Sequence, residues 1–141
     1  MWHTSTGKIV YDPKRSPKIK KGEKWWCVVT VDREITRYYR WWIEKELHVK
    51  GLCQPSWNAH ISVLRGEKPR HDLMHLWKKY DGEIVTFRYK HFPRQSGDTT
   101  HDRPDFYWFV EVDCPKLISI REELERPSDW KLHITVGRTW F

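Results

Sequence analysis

The sequence predicts an α+β domain of two related lobes around antiparallel sheets, and three observations lead there. At 141 residues the chain has room for one domain with a real core and is short for two. Segments with helical spacing of apolar residues fall between and after segments of strand character, a mixture that reads as α+β. Two of the strand segments are nearly the same: His60 to Arg65 reads His-Ile-Ser-Val-Leu-Arg and His133 to Arg138 reads His-Ile-Thr-Val-Gly-Arg.

Taken in order, residues 1–24 carry Pro13, Pro17 and the basic run Lys18, Lys20, Lys21 and Lys24, and read as an irregular basic arm around a short strand at Lys8 to Tyr11. Trp25 to Val31 is an apolar run rich in strand-forming residues, and Asp32 follows it as a helix N-cap. Ile35, Tyr38, Tyr39, Trp42, Ile43 and Leu47 then recur at helical spacing, with Arg33, Arg37, Arg40, Glu44 and Lys45 mainly elsewhere. That pattern is an amphipathic helix packed on a sheet and closed by Gly51. Asn58 to Leu64 is the next strand, followed by a polar stretch and a short helical segment near Asp72 to Tyr80 that Asp81-Gly82 ends. Glu83 to Lys90 reads as a strand, Pro93 to Pro104 as a mobile loop, and Asp105 to Val112 as an apolar strand. Pro115 suits the first turn of a helix running to about Arg126, with Leu117, Ile118, Ile120, Arg121 and Leu124 on its inner face. Lys131 to Gly137 is the last strand.

The charge balance narrows the partners. Lys and Arg total 26 against 19 Asp and Glu, a formal charge of +7, which favours an anionic ligand such as a nucleotide or RNA. The longest apolar runs fall far short of the roughly 18 residues a spanning helix needs, and the start of the chain lacks a secretory apolar core, so a soluble cytoplasmic protein is expected. Cys27, Cys53 and Cys114 lack Cys-x-x-Cys spacing and suggest neither a disulfide framework nor a thiolate zinc site. Ten Trp is a heavy load for this length. Most must be packing, but a few could stack nucleobases for about 1–3 kcal/mol each.

The chemistry lies in the repeated strand. Residues two apart in a strand share a face, so His60 projects beside Ser62 and His133 beside Thr135, while Ile61, Val63, Ile134 and Val136 face a core. If the two strands lie side by side, two imidazoles and two hydroxyls converge, with Arg65 and Arg138 near the ends. One imidazole can accept a proton from an attacking hydroxyl or water and the other can donate one to the departing oxygen, near neutral pH. The hydroxyls can hold the non-bridging phosphate oxygens through the transition state. This is what phosphodiester cleavage requires, and no metal or other cofactor is demanded. Which histidine is acid and which base is left open. A half-buried strand pattern is the competing explanation; at average composition one such motif arises by chance roughly once in fifty histidines, and two among eight with a likelihood on the order of 1%.

The paired His-x-Ser/Thr-x signature, one copy mid-chain and one near the C-terminus, resembles the 2H phosphoesterase superfamily. The resemblance implies a bilobal fold in which two antiparallel sheets line a central cleft with helices outside, and a metal-independent hydrolase acting on phosphoric diester bonds. Ser62 stands where Thr is commoner, which keeps the hydroxyl. The helix segment Ile35-Thr36-Arg37-Tyr38-Tyr39-Arg40-Trp41-Trp42, the lead-in Gln54-Pro55-Ser56-Trp57 and the segment Met74-His75-Leu76-Trp77-Lys78-Lys79-Tyr80 are similar to the phage anti-CBASS phosphodiesterase family. That likeness implies hydrolysis of 3′–5′ bonds in cyclic di- and trinucleotide messengers, such as 3′,3′-cyclic GMP-AMP or cyclic oligoadenylate, in the host bacterial cytoplasm, by which a phage evades CBASS immunity. An enzyme acting on RNA ends or 2′,3′-cyclic phosphates would use the same four residues. A non-catalytic nucleotide-binding module would need no proton-transfer pair.

A cyclic oligonucleotide also needs its bases gripped, and Tyr11, Trp77 and Trp140 are the candidate stacking rings. Trp25, Trp26, Trp41 and Trp42 sit in regular elements and read as core. His71 and His75, four apart on a helical segment, could bind metal, but Asp72 rather than Glu follows His71 and no third ligand is evident, so a solvated face is favoured. The basic run from Lys14 to Lys24 could steer anions or be plain solvated surface. His91 and His101 flank the Pro93 to Pro104 loop, a lid or an ordinary exposed loop. Neither a membrane nor a stable nucleic-acid duplex is called for as partner, and a homo-oligomer is left open.

Overall fold

The computed structural model describes residues 1–14, 24–53, 58–98 and 105–139, with backbone only at Asp98 and Asp105. The chain is α+β and mostly sheet. Among the described residues eight strands, β1 (Trp2–Tyr11), β2 (Trp26–Thr30), β3 (Leu52–Cys53), β4 (His60–Arg65), β5 (Ile84–Lys90), β6 (Arg94–Asp98), β7 (Asp105–Asp113) and β8 (His133–Thr139), accompany two α-helices, α1 (Arg33–Glu46) and α2 (Pro115–Glu123).

The helices start where the residue types demand. The Asp32 carboxylate accepts the Glu34 N–H at 2.9 Å, satisfying one of the four unpaired donors of the first turn of α1. The face it buries is Ile35, Thr36, Tyr39 and Ile43. Pro115 opens α2, where its missing N–H costs nothing, and Leu117, Ile120 and Arg121 turn inward. The segment near Asp72 to Tyr80 forms a 3₁₀ helix at His71–Leu76.

Two expectations need correction here. Residues 1–11 are no irregular arm: β1 runs ten residues and pairs with β2 on one side and β5 on the other. Only Gly7, Ile9 and Tyr11 of it are buried, so the polar run His3-Thr4-Ser5-Thr6 hid a central strand. The Pro93 to Pro104 loop likewise contains β6, paired with β7 from Arg94↔Phe109 to Asp98↔Asp105. Residues 99–104 lie outside the described residues.

All eight strands belong to one antiparallel sheet in the order β3-β8-β4-β2-β1-β5-β7-β6, and an added β7–β8 pairing closes six of them into a barrel. The expected pair of separate sheets is thus one sheet closed on itself. It divides into two four-stranded arrays, β5-β1-β2-β4 and β6-β7-β8-β3, joined by two short seams. One seam is Ile61↔Ile134 between β4 and β8, and the other is Arg88↔Asp113 and Tyr89↔Val112 between β5 and β7. The seams engage β4 and β5, which would otherwise be open edges presenting unpaired backbone groups. The helices are exchanged between the arrays: α1 packs on β8 and α2 on β4. One core face results, with Ile61, Val63, Leu64, Ile134 and Val136 packed with Ile35, Tyr39 and Ile43 of α1 and Leu117 and Ile120 of α2.

Candidate active site

The seam between β4 and β8 places the two motifs. Ile61 and Ile134 are directly paired and fully buried, so antiparallel register sets His60 across from Thr135 and Ser62 across from His133, all on the opposite face from the core. The two histidines are then diagonal neighbours, with Cβ atoms up to ~7–8 Å apart. All four side chains are half-buried.

Simple alternation would send Arg65 and Arg138 to the core face with Val63 and Val136. The structure does otherwise, because each strand slips by one residue. Against β2, Cys27 pairs with Leu64 but Val28 pairs with Ser62, leaving Val63 as the extra residue. Against β7, Trp108 pairs with Gly137 but Phe109 pairs with Thr135, leaving Val136 extra. A residue inserted this way reverses the facing of the residues beyond it. Arg65, paired with Trp26, and Arg138, paired with Tyr107, therefore share the face of the histidines and hydroxyls. The two motifs carry the same slip at the same place.

The rings are held alike. His60 Nδ1 lies 2.6 Å from Asn58 O and His133 Nδ1 lies 3.1 Å from Lys131 O, in each case the carbonyl two residues back. A carbonyl only accepts, so in each ring Nδ1 carries the hydrogen and donates it to that carbonyl. An aromatic ring from the neighbouring strand meets each imidazole edge-on at 5.4 Å, Trp26 at His60 and Phe109 at His133. Their surroundings differ in charge. Thr30 stands across from His60, while Glu111 stands across from His133. Hydrogen bonds from Lys90 and then Arg94 hold the Glu111 carboxyl below its usual range, at 2.9 and 3.0 Å.

Of the other candidates, Tyr11 and Trp77 pack on each other. Tyr11 is 6% exposed, in the core, edge-on to Trp77 at 4.9 Å. Burial first, and then the nearby Cys27, push its phenol well above the ordinary range. Its place is packing, so little of the ring is open for a base. Trp77 is half-buried, meets Trp25 at 5.3 Å, and its indole N–H donates to Asp12 at 3.1 Å. Trp140, the Gln54 to Trp57 lead-in, His101 and residues 15–23 of the basic run lie outside the described residues. His71 and His75 are exposed on a 3₁₀ turn, where neighbours stack three apart rather than four. Among the described residues no cluster of three or more His, Cys, Asp or Glu is placed to hold a metal. His91 faces His3 instead, with ring nitrogens 2.8 Å apart.

Sequence reasoning placed Trp26 in the core, as its 2% exposure bears out, and missed Phe109 and Glu111. Their parent strand is an apolar run without alternation, so nothing local says which side chains turn to the histidines. The signal available was Glu111, a lone carboxylate inside the run from Phe106 to Val112. A groove of about 810 Å³ lies beside this face, lined in part by Trp2, Lys90, Glu111, Asp113 and Trp130; it borders the second motif at Lys131 and Leu132 and takes in neither histidine. No helix among the described residues is long and apolar enough to cross a membrane. Comparison with protein-family models, curated proteins and solved structures yields no match.

Proposed function

We propose that the chain is a metal-independent phosphodiesterase that cuts 3′–5′ bonds of cyclic di- and trinucleotide messengers, the activity by which a phage would disarm CBASS signalling. The observation that carries this reading is the shared face. Two imidazoles, each with Nδ1 tied to a backbone carbonyl, lie with two hydroxyls across one strand seam, and Arg65 and Arg138 stand on the same face toward the opposite ends of the two strands. The two four-stranded arrays then act as the lobes of a 2H-type enzyme, and Ile61↔Ile134 underlies the cleft between them.

In this mechanism the ribose 2′-hydroxyl attacks the neighbouring phosphorus and gives its proton to Nε2 of one histidine. The P–O5′ bond breaks, and the 5′-oxygen leaves with a proton from Nε2 of the other. Ser62 and Thr135 donate hydrogen bonds to the non-bridging oxygens, with Arg65 and Arg138 adding positive charge where negative charge builds up. Water then opens the 2′,3′-cyclic phosphate with the histidine roles reversed. The need for one imidazole in its proton-accepting form and one in its proton-donating form at once explains why both strands carry the same motif.

The test is turnover, in EDTA, of a panel of cyclic di- and trinucleotides, linear RNA and 2′,3′-cyclic mononucleotides. Adenine-containing cyclic oligonucleotides are expected to be cleaved, and His60→Ala and His133→Ala each to lose about 10²–10⁴-fold. Activity retained in both variants overturns the mechanism, and cleavage of linear RNA or cyclic mononucleotides alone overturns the substrate assignment.

A further inference from the structure

Three side chains outside the two motifs converge on the slip in β4. Arg121 of α2 is 1% exposed, a rare place for a guanidinium group. Its Nη1 donates to Val63 O at 2.8 Å and to Glu67 Oε1 at 2.9 Å, its Nη2 to Glu67 Oε2 at 3.2 Å, and its Nε to Pro127 O at 2.8 Å. The guanidinium lies 4.4 Å from the Trp130 ring centre, and the Trp130 indole N–H donates to Ser62 O at 2.9 Å. Glu67 Oε1 also accepts the Arg65 N–H at 3.2 Å.

The positions of these bonds matter more than their number. A slip leaves a residue without its ladder partner, and its backbone groups must be satisfied in another way. Here the extra residue is Val63, and its carbonyl is the one Arg121 takes. The carbonyl before it goes to Trp130, and the N–H two places after it goes to Glu67. The backbone is therefore gripped at Ser62, Val63 and Arg65, the stretch that turns Ser62 and Arg65 onto the face of His60. A buried arginine is costly unless fully paired, and apolar residues of similar volume commonly stabilise a core as well or better. Among the described residues the second motif has no such grip on Thr135 or Val136; Gly137 instead lies against Leu52.

We propose that Arg121, Glu67 and Trp130 are a positioning unit for the first half of the site, locking the slip so that His60, Ser62 and Arg65 meet one phosphate. This rests on the phosphodiesterase reading for its catalytic consequence, but its structural content can be tested separately. Trp130→Phe keeps an aromatic face for Arg121 but loses the pyrrole half of the indole and with it the N–H bonded to Ser62 O; Arg121→Lys keeps a charge and loses the fork. Two measurements apply to each folded variant: turnover of 3′,3′-cyclic GMP-AMP, and pH titration of the histidine ring nitrogens by ¹⁵N NMR. The expected result is a kcat lowered on the order of 10–100-fold with KM nearly unchanged, and a displaced titration of His60 with that of His133 unmoved. Should Arg121→Lys fail to fold, Trp130→Phe decides alone. Equal displacement of both histidines, or of neither, overturns the proposal. Wild-type protein that leaves the substrate intact overturns the phosphodiesterase reading, and the NMR comparison still decides whether the unit positions His60.

Discussion

At the scale of single residues, the two motifs show how chemistry and packing alternate along one strand. Ile61 and Ile134 are fully buried and paired, and the residues beside them face the other way because a strand leaves no alternative. The hydroxyls owe their position to this placement, and Thr135→Ala is expected to lower kcat by about 10²–10³-fold, in the range seen when one donor to a developing oxyanion is removed; steady-state kinetics on a cyclic dinucleotide checks it. Tyr11 behaves in the opposite way. Its residue type suits a stacking platform, but its 6% exposure makes it a core side chain. Tyr11→Ala should therefore act through stability, costing about 3–5 kcal/mol by the cavity it leaves, and urea denaturation is the measurement. A raised KM with unchanged stability would return Tyr11 to the substrate.

At the scale of elements, the one-residue slips in β4 and β8 turn a His-x-Ser/Thr strand into a His-x-Ser/Thr-x-x-Arg face. Alternation is legible in sequence, and it correctly separates His60 and Ser62 from Ile61 and Val63. It fails at Arg65 and Arg138, because a slip depends on the partner strand and leaves no mark in the local pattern. The grip on the β4 slip has a pH signature. Burial pushes the Glu67 carboxyl up, but hydrogen bonds from Arg121 and the Arg65 N–H, with the charges of Arg121 and Arg126, outweigh it, and its pKa lies below the usual value. A carboxyl lowered on folding contributes stability that is complete above its unfolded pKa of about 4.3 and is lost as pH falls through the folded value. Glu67→Gln should therefore be less stable near neutrality and less sensitive to acid below about pH 4.3, as urea midpoints across that range would show. Gly7 makes a second point about register. A Cβ there would lie 2.5 Å from a Val29 methyl and 2.6 Å from Thr30 O, the latter a backbone atom that cannot move aside. Gly7→Ala should destabilise by about 1–3 kcal/mol, read as a lowered urea midpoint at unchanged slope.

At the scale of the whole molecule, the barrel makes β1 indispensable. It separates β2 from β5, so removing residues 2–11 would split the array β5-β1-β2-β4 through its middle. Deletion is expected to abolish cooperative thermal unfolding, whereas a dispensable arm would leave the transition intact; circular dichroism distinguishes the two. The net charge of +7 acts at the same scale, since it favours anions over cations near the molecule. For an anionic substrate kcat/KM should fall as salt rises from 0.05 to about 0.5 M, because screening shortens the reach of that charge to a few ångströms.

The sequence by itself determined the α+β class, the helix starts at Asp32 and Pro115, the two matched motifs, and the opposite facing of their polar and apolar residues. These are local properties, carried by residue type and spacing over a handful of positions. Tertiary structure decided that β4 and β8 share a seam, that both slip by one residue, that a polar N-terminal stretch runs through the middle of the sheet, and that Arg121 reaches from α2 to Val63 O. Each of these depends on register between segments far apart in the chain, where burial and backbone pairing across the whole sheet select one arrangement from many that the local pattern allows.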